Sequence, residues 1–169
     1  MSPAGQPLSD FGNRLLAWLI DRAIVGGVMT VVAVPAFLAV FFTVLRPSIE
    51  ESSVDDTAFP AHFLIPLLLL EGGFFLFALA LEYVYQVEMT YRTGQTVGKR
   101  AMKLRVIPID PSRRLTRGMV ATRFLVQYVV AVFVPFFNLL DGLWMLWDKP
   151  YLQTLHDKAA ETVVIKVSR

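Results

Sequence analysis

The 169-residue chain is 55% hydrophobic and 18% charged, with a net charge of +2 and no cysteine. The apolar share exceeds the roughly 45–50% of a soluble domain and the charged share falls below the usual quarter or so, which indicates an integral membrane protein. The lack of cysteine excludes disulfides, thiolate metal sites and cysteine catalysis. So small a net charge does not indicate a nucleic-acid-binding protein.

The first hydrophobic segment, predicted as a transmembrane helix over 15–45, contains an uncharged run at 23–45. As a helix, this run would span roughly 34 Å, which is enough to cross a bilayer. It is longer than the ~7–15-residue apolar region of a secretory signal, so we expect a retained helix. Arg14 and Asp21 lie at its start, where each charge needs a partner, water or a functional role. We expect the neighbouring Arg22 to extend toward the inner lipid headgroups.

The charges between the hydrophobic segments predict the membrane topology. A second transmembrane helix is predicted over 62–85, and the loop before it, 46–61, is rich in acidic residues. The loop after it, 86–118, contains eight Lys or Arg residues. The positive-inside rule therefore predicts that the basic loop and residues 1–13 are cytoplasmic and that the acidic loop is external.

The third hydrophobic region, 119–147, is predicted to form a bent helical hairpin, although its length also suits one further span. Pro135 and Asn138 are turn-prone residues that would interrupt the helix. The tail, 148–169, contains "ETVVIKV", which resembles the strand-like "KLRVIPI" of the basic loop. Pairing these strands would place the tail in the cytoplasm. The predicted fold is thus an all-α integral membrane protein with two full transmembrane helices, a hairpin or third span, and a short cytoplasmic strand pair.

Two glycine pairs occur within the first two predicted helices, at Gly26, Gly27, Gly72 and Gly73. Small residues allow close backbone approach between membrane helices. We therefore predict tight packing at these positions, with exposure of backbone carbonyls to an ion as the alternative.

Three separate motifs together resemble the RDD family of small bacterial membrane proteins. They are Arg14 and Asp21 in "RLLAWLID", Thr96, Gly98, Lys99 and Arg100 in "TVGKR", and Leu155, His156 and Asp157 in "LHD", which is followed by "TVVI". Their order covers most of the chain. The resemblance implies a single multi-pass domain over 1–169 in the bacterial cytoplasmic membrane. It also implies the family's proposed transport of small ligands or cations, including cation/proton exchange.

One hypothesis is that the motif charges hold the cytoplasmic ends of the helices together. Arg14 would bind Asp157 in bidentate fashion, and Lys99 or Arg100 would bind Asp21. Arg123 is a further candidate partner for Asp21, whose side chain is shorter and lies deeper than that of Arg22.

The alternative hypothesis is a polar cavity lined by Asp21, Glu71 and Asp141 that binds a cation or relays protons. Glu71 suggests it most strongly, because this residue interrupts the second apolar run near the predicted middle of the membrane. Such a carrier would act as an oligomer. The sequence identifies neither a substrate nor a partner protein.

No catalytic residue, metal site or cofactor is predicted, since His156 and Asp157 lack a companion nucleophile and the histidines lack ligand spacing. We expect His156 to donate a hydrogen bond that helps to seat the tail. The expected partners are the lipid bilayer, anionic headgroups on the cytoplasmic side, and other copies of the chain or a larger membrane assembly.

Overall fold

The computed structural model describes residues 1–47, 49 and 64–167. A long helix, α1 (Phe11–Val40), continues through a π-helical segment (Phe41–Leu45). The backbone N–H of Asn13 donates to Asp10 Oδ1 at 2.9 Å, which satisfies an otherwise free donor at the helix start. The predicted acidic loop at 46–61 lies almost wholly outside the described residues.

A second long helical stretch consists of α2 (Ile65–Tyr83), a π-helical segment (Val84–Glu88) and α3 (Met89–Thr93). It ends at Gly94, which adopts a left-handed conformation with φ 74°. Both long stretches are long and apolar enough to cross a membrane. Only 6% of the positions in the most apolar part of each stretch are buried, unlike those of a core helix in a soluble protein.

The remaining elements are short, and a threonine caps the start of three of the helices. Thr96, Thr116 and Thr154 each precede a helix, and each side chain accepts the backbone N–H of the third residue that follows. These elements are α4 (Val97–Ala101), β1 (Leu104–Pro108), α5 (Arg117–Phe124), α6 (Val130–Phe133), α7 (Phe137–Trp144), α8 (Leu155–Ala159) and β2 (Thr162–Lys166).

The third hydrophobic region contains the predicted interruption. A π-helical segment (Leu125–Val129) joins α5 to α6, and the helix breaks between α6 and α7. Pro135 lies in the break, and the next residue, Phe136, adopts a left-handed conformation with φ 61°. Asn138, the second residue predicted to interrupt the helix, does not interrupt it. It lies inside α7, after the break.

The predicted strand pair is confirmed as a two-stranded antiparallel sheet of β1 and β2. Val106 lies opposite Val164, and both are almost fully buried, as is Leu104. The amino-terminal segment adds a contact that the sequence did not suggest. Its Ser9 N–H donates to the Val164 carbonyl at 3.0 Å, and Leu8 bridges to Ile165, so this edge of β2 is covered.

The chain divides into two compact units. Unit 1 comprises Met1–Ala23 and Glu82–Arg169, and it contains the sheet, the short helices and the start of α1. A small apolar core in unit 1 includes Ala17 and the facing sheet residues.

Unit 2, Ile24–Leu81, contains the two predicted glycine pairs, Gly26, Gly27, Gly72 and Gly73. Within the described part of the chain, an added Cβ at any of these glycines would meet no atom within 4 Å. Among the described residues, the helix surface at these positions is open, so the structure does not show the predicted tight packing there.

Candidate functional site

Asp21 is held by three neutral donors from two other segments of unit 1. Its Oδ1 accepts hydrogen bonds from the Tyr85 hydroxyl at 2.6 Å and the Gly98 N–H at 2.7 Å. Its Oδ2 accepts the Thr96 hydroxyl at 2.6 Å. Asp21 is 1% exposed, so these bonds replace the water that a carboxylate otherwise requires. The predicted contact between the "TVGKR" segment and Asp21 is therefore present.

The predicted chemistry of that contact is wrong, however. Lys99 and Arg100 do not supply the donors for Asp21, and Arg100 is exposed on α4. Because Thr96 precedes α4, the first turn of this helix presents a hydroxyl and a backbone N–H to the carboxylate.

Gly98 is a glycine because α4 lies directly against α1. A Cβ at this position would lie 2.1 Å from the Ala17 carbonyl oxygen and 2.7 Å from Asp21 Oδ1. Both distances are far below van der Waals contact, and the backbone oxygen cannot rotate away. The short approach also allows the Gly98 N–H to reach Asp21.

Asp157 joins two arginines from distant parts of the sequence. Arg14 Nη1 donates to Asp157 Oδ2 at 2.5 Å, and Arg123 Nη1 donates to Asp157 Oδ1 and to the Thr162 hydroxyl. Burial opposes ionisation of Asp157, but the guanidinium groups of Arg123 and Arg14 outweigh it and hold the pKa of this carboxyl well below its usual range. The carboxylate also completes a capping box with Thr154 at the start of α8.

The predicted Arg14–Asp157 pair is thus present, but it is not bidentate. Arg14 uses Nε for the Ser9 hydroxyl, at 2.5 Å, and only Nη1 for Asp157. Arg123, predicted as a candidate for Asp21, is instead the second partner of Asp157. The sequence could not choose between these carboxylates, because the choice depends on which of them lies near Arg123 in the folded chain.

Asp141 and His156 form a neighbouring buried pair. Asp141 Oδ1 accepts the His156 backbone N–H at 2.9 Å, and Oδ2 lies 2.6 Å from His156 Nδ1. His156 Nε2 also lies 3.7 Å from Asp157 Oδ1, so the pair adjoins the arginine cluster. His156 therefore seats the start of α8 on α7, in agreement with the contact predicted for it.

Arg22 forms an ion pair that sequence reasoning missed. It contacts Glu82, and its Nη2 donates to Tyr128 Oη at 3.0 Å. The expected extension of Arg22 toward headgroups is therefore wrong, because an acceptor is available within unit 1. Glu82, next to the end of the apolar run at 63–81, is the signal that could have indicated this partner.

A cavity of about 250 Å³ lies within unit 1 beside these groups. Arg14, Asp21, Lys99, Arg123 and Asp141 all line it. Burial lowers the pKa of Lys99 to about 8, although the nearby Asp21 carboxylate acts in the opposite direction.

One of the three residues predicted to line the cavity does not line it. Its lining belongs to unit 1, whereas Glu71 is exposed on α2 in unit 2. The predicted joint lining by Asp21, Glu71 and Asp141 is therefore wrong for Glu71, because its position on α2 leaves the side chain on the surface. Across 1–47, 49 and 64–167, no cluster of three or more His, Cys, Asp or Glu residues could hold a metal ion.

Comparison with known proteins gives one match. The model of the RDD family matches residues 8–161, a range that contains the charged side chains of the site described above. Comparisons with curated proteins and with solved structures found no match.

Proposed function

We propose that this chain, which belongs to the RDD family, is a multi-pass protein of the bacterial cytoplasmic membrane whose buried charges organise its fold or a larger membrane assembly. Two helices long and apolar enough to cross a membrane support the membrane placement. The basic loop after the second helix supports cytoplasmic placement of the amino terminus and of the sheet. The tail would share that side because β2 pairs with β1.

A groove lined by arginines supports contact with the inner membrane surface. Arg92, Arg100, Arg105 and Arg114 line this groove beside β1. All four are exposed. Basic side chains near an anionic leaflet contribute about 1 kcal/mol each to membrane binding. We therefore assign anionic headgroups to this groove as its partner.

The observation that carries the organising role is the saturation of the buried carboxylates. Each oxygen of Asp21, Asp141 and Asp157 already accepts a hydrogen bond or contacts a charged donor from the protein. A carboxylate that bound and released a cation would have to weaken or exchange its bonds to these donors in each cycle. For Asp157, whose partners are two arginines, removing one partner of a buried ion pair costs roughly 3–5 kcal/mol, so the observed arrangement favours a fixed structure.

The second candidate function is a small-ligand or cation transporter that acts as an oligomer, with cation/proton exchange as one form of this activity. One observation favours it: Asp21 and Asp141 both line the cavity. Proton exchange in liposomes separates the two functions. Purified protein is reconstituted around a pH-sensitive dye, and Na⁺, K⁺ or Li⁺ gradients are imposed on the wild type, Asp21→Asn and Glu71→Gln.

We expect no exchange by the wild type, a less stable Asp21→Asn variant, and unchanged stability for Glu71→Gln because Glu71 is exposed. Exchange by the wild type that disappears in a well-folded Asp21→Asn or Glu71→Gln variant would establish the transporter and overturn the organising role.

A further inference from the structure

The two arms of the broken third hydrophobic region are tied to the same short helix. On the first arm, Arg123 pairs with Asp157 of α8. On the second arm, Asp141 Oδ1 accepts the His156 backbone N–H at 2.9 Å, and Oδ2 lies 2.6 Å from the ring of this histidine on α8. Because α8 is followed by β2, which pairs with β1, both ends of the hairpin lie on the side of the sheet.

The arms are short compared with a bilayer. Residues 124–140 carry no charge, so the charges at Arg123 and Asp141 mark the base of the hairpin. From Arg123 to Phe133, the first arm rises by at most about 15 Å at 1.5 Å per residue. The hydrocarbon core of a bilayer is about 30 Å thick. A hairpin whose charged base stays outside the hydrocarbon therefore reaches no further than about its middle.

The tip of the hairpin is apolar and uncovered within the described part of the chain. Phe133 is 78% exposed and Phe136 is 82% exposed. The other exposed apolar residues on or near the tip are Val132, Val134, Leu139 and Leu140. Large apolar side chains that are gathered in one place and left exposed indicate a surface that contacts a membrane or another molecule.

The backbone of the tip meets a requirement that hydrocarbon imposes. Irregular backbone is tolerated at membrane depth only where its polar groups are satisfied. The Val134 N–H donates to the Val130 carbonyl at 3.0 Å, and the Phe137 N–H donates to the Val134 carbonyl at 3.2 Å. Pro135, between them in the break, has no N–H. These three positions of the turn thus leave no free N–H donor.

We propose that this hairpin, residues 117–144, enters only the cytoplasmic leaflet of the membrane and that Phe133 and Phe136 contact lipid acyl chains. The reach of the arms matches one leaflet, and the charge-free stretch ends where the leaflet would end. Trp147, 59% exposed just beyond the second arm, lies at the base, where a membrane interface favours tryptophan. The proposal rests on the membrane placement in the proposed function and is independent of the organising role of the charges.

The test uses single-cysteine variants of the full chain, because the sequence contains no cysteine of its own. Phe133→Cys and Phe136→Cys report on the tip, Lys149→Cys on the base, and Ser112→Cys on the basic loop. All four positions are exposed. Leu69→Cys, exposed on α2, is the control for membrane placement alone. Right-side-out and inside-out bacterial membrane vesicles are treated with a membrane-impermeant maleimide, and far-ultraviolet circular dichroism of each purified variant checks its folding.

We expect Ser112→Cys and Lys149→Cys to be labelled from the same face of the membrane. Both tip variants and Leu69→Cys should lose labelling from either face. In liposomes, nitroxides attached at the two tip positions should be relaxed more strongly by oxygen than by a water-soluble nickel complex. Their depth should not exceed about 15 Å from the cytoplasmic edge of the hydrocarbon. Two tip variants keep the test valid if one of them fails to fold.

Three results would overturn the proposal. Labelling of Lys149→Cys from the face opposite to Ser112→Cys would show that the segment crosses the membrane. Labelling of the tip variants while Leu69→Cys stays protected would place the tip in water. Spin–spin broadening of the tip nitroxides that disappears on dilution with unlabelled protein would show that a second copy covers the patch. Labelling of Leu69→Cys as well would instead overturn the membrane placement, so the two failures are distinguishable.

Discussion

Replacement of Gly98 by alanine tests whether the contact between α4 and α1 is as tight as the structure describes. The new methyl group would lie 2.1 Å from the Ala17 carbonyl oxygen and 2.7 Å from Asp21 Oδ1. The two helices would have to separate, and the hydrogen bond from the Gly98 N–H to Asp21 would lengthen or break.

The expected cost has two parts. Overpacking typically costs about 1–3 kcal/mol, and loss of a hydrogen bond to a charged group costs about 1.5–3 kcal/mol. We therefore expect Gly98→Ala to lower the free energy of unfolding by roughly 3–5 kcal/mol. The measurement is denaturant unfolding of the detergent-solubilised protein, followed by far-ultraviolet circular dichroism.

Gly26→Ala is the matched control, because an added Cβ at Gly26 meets nothing within 4 Å among the described residues. Alanine favours a helix over glycine by up to about 1 kcal/mol, so this variant should be as stable as the wild type or more stable. Stability of Gly98→Ala within about 0.5 kcal/mol of the wild type, the range of neutral surface changes, would refute the tight contact.

Two further predictions concern α8 and the cavity. Thr154→Ala should lower the free energy of unfolding by about 1 kcal/mol, since it removes one half of the capping box with Asp157; no change in the denaturation midpoint would contradict the capping role. Folding lowers the pKa of Lys99 from 10.5 to about 8, so between these two pH values the unfolded state binds more protons than the folded state. The free energy of unfolding should therefore rise with pH from 8 to 10.5. Lys99→Met should reduce this rise, and an unchanged pH profile in that variant would assign the rise to other groups.

Much of the architecture follows from local sequence. The long apolar runs predict the two long helices, and β-branched residues in two short runs predict the strand pair. Pro135 predicts the break between α6 and α7. Each of these features depends on neighbouring residues, which is why the sequence reveals it.

The partners of the charges were only partly predictable. The sequence pointed to the segments that bind Arg14 and Asp21, because those segments carry the motifs of the family that the chain resembles. It could not show that the donors to Asp21 are a hydroxyl and a backbone N–H, since that depends on how close α4 comes to α1. The contact of Ser9 with the sheet edge, and of Arg22 with Glu82, likewise depends on tertiary approach.

The sequence alone also did not show which glycines the packing requires. Gly26 and Gly72 lie in apolar helices, where small residues commonly indicate helix packing, yet space around them is open among the described residues. Gly98 lies in a polar segment, yet the packing of α4 against α1 requires a glycine there. Only the three-dimensional approach of another backbone distinguishes these cases.

The most direct test of the organising role is the stability of Asp157→Asn. Asp157 is fully buried between Arg14 and Arg123, so the variant leaves two guanidinium groups without their shared counterion. We predict a loss of roughly 3–5 kcal/mol in the free energy of unfolding. The control Glu161→Gln, in an exposed pair with Arg113, should change it by less than about 1 kcal/mol. An Asp157→Asn protein as stable as the wild type would contradict the claim that these charges hold the fold together.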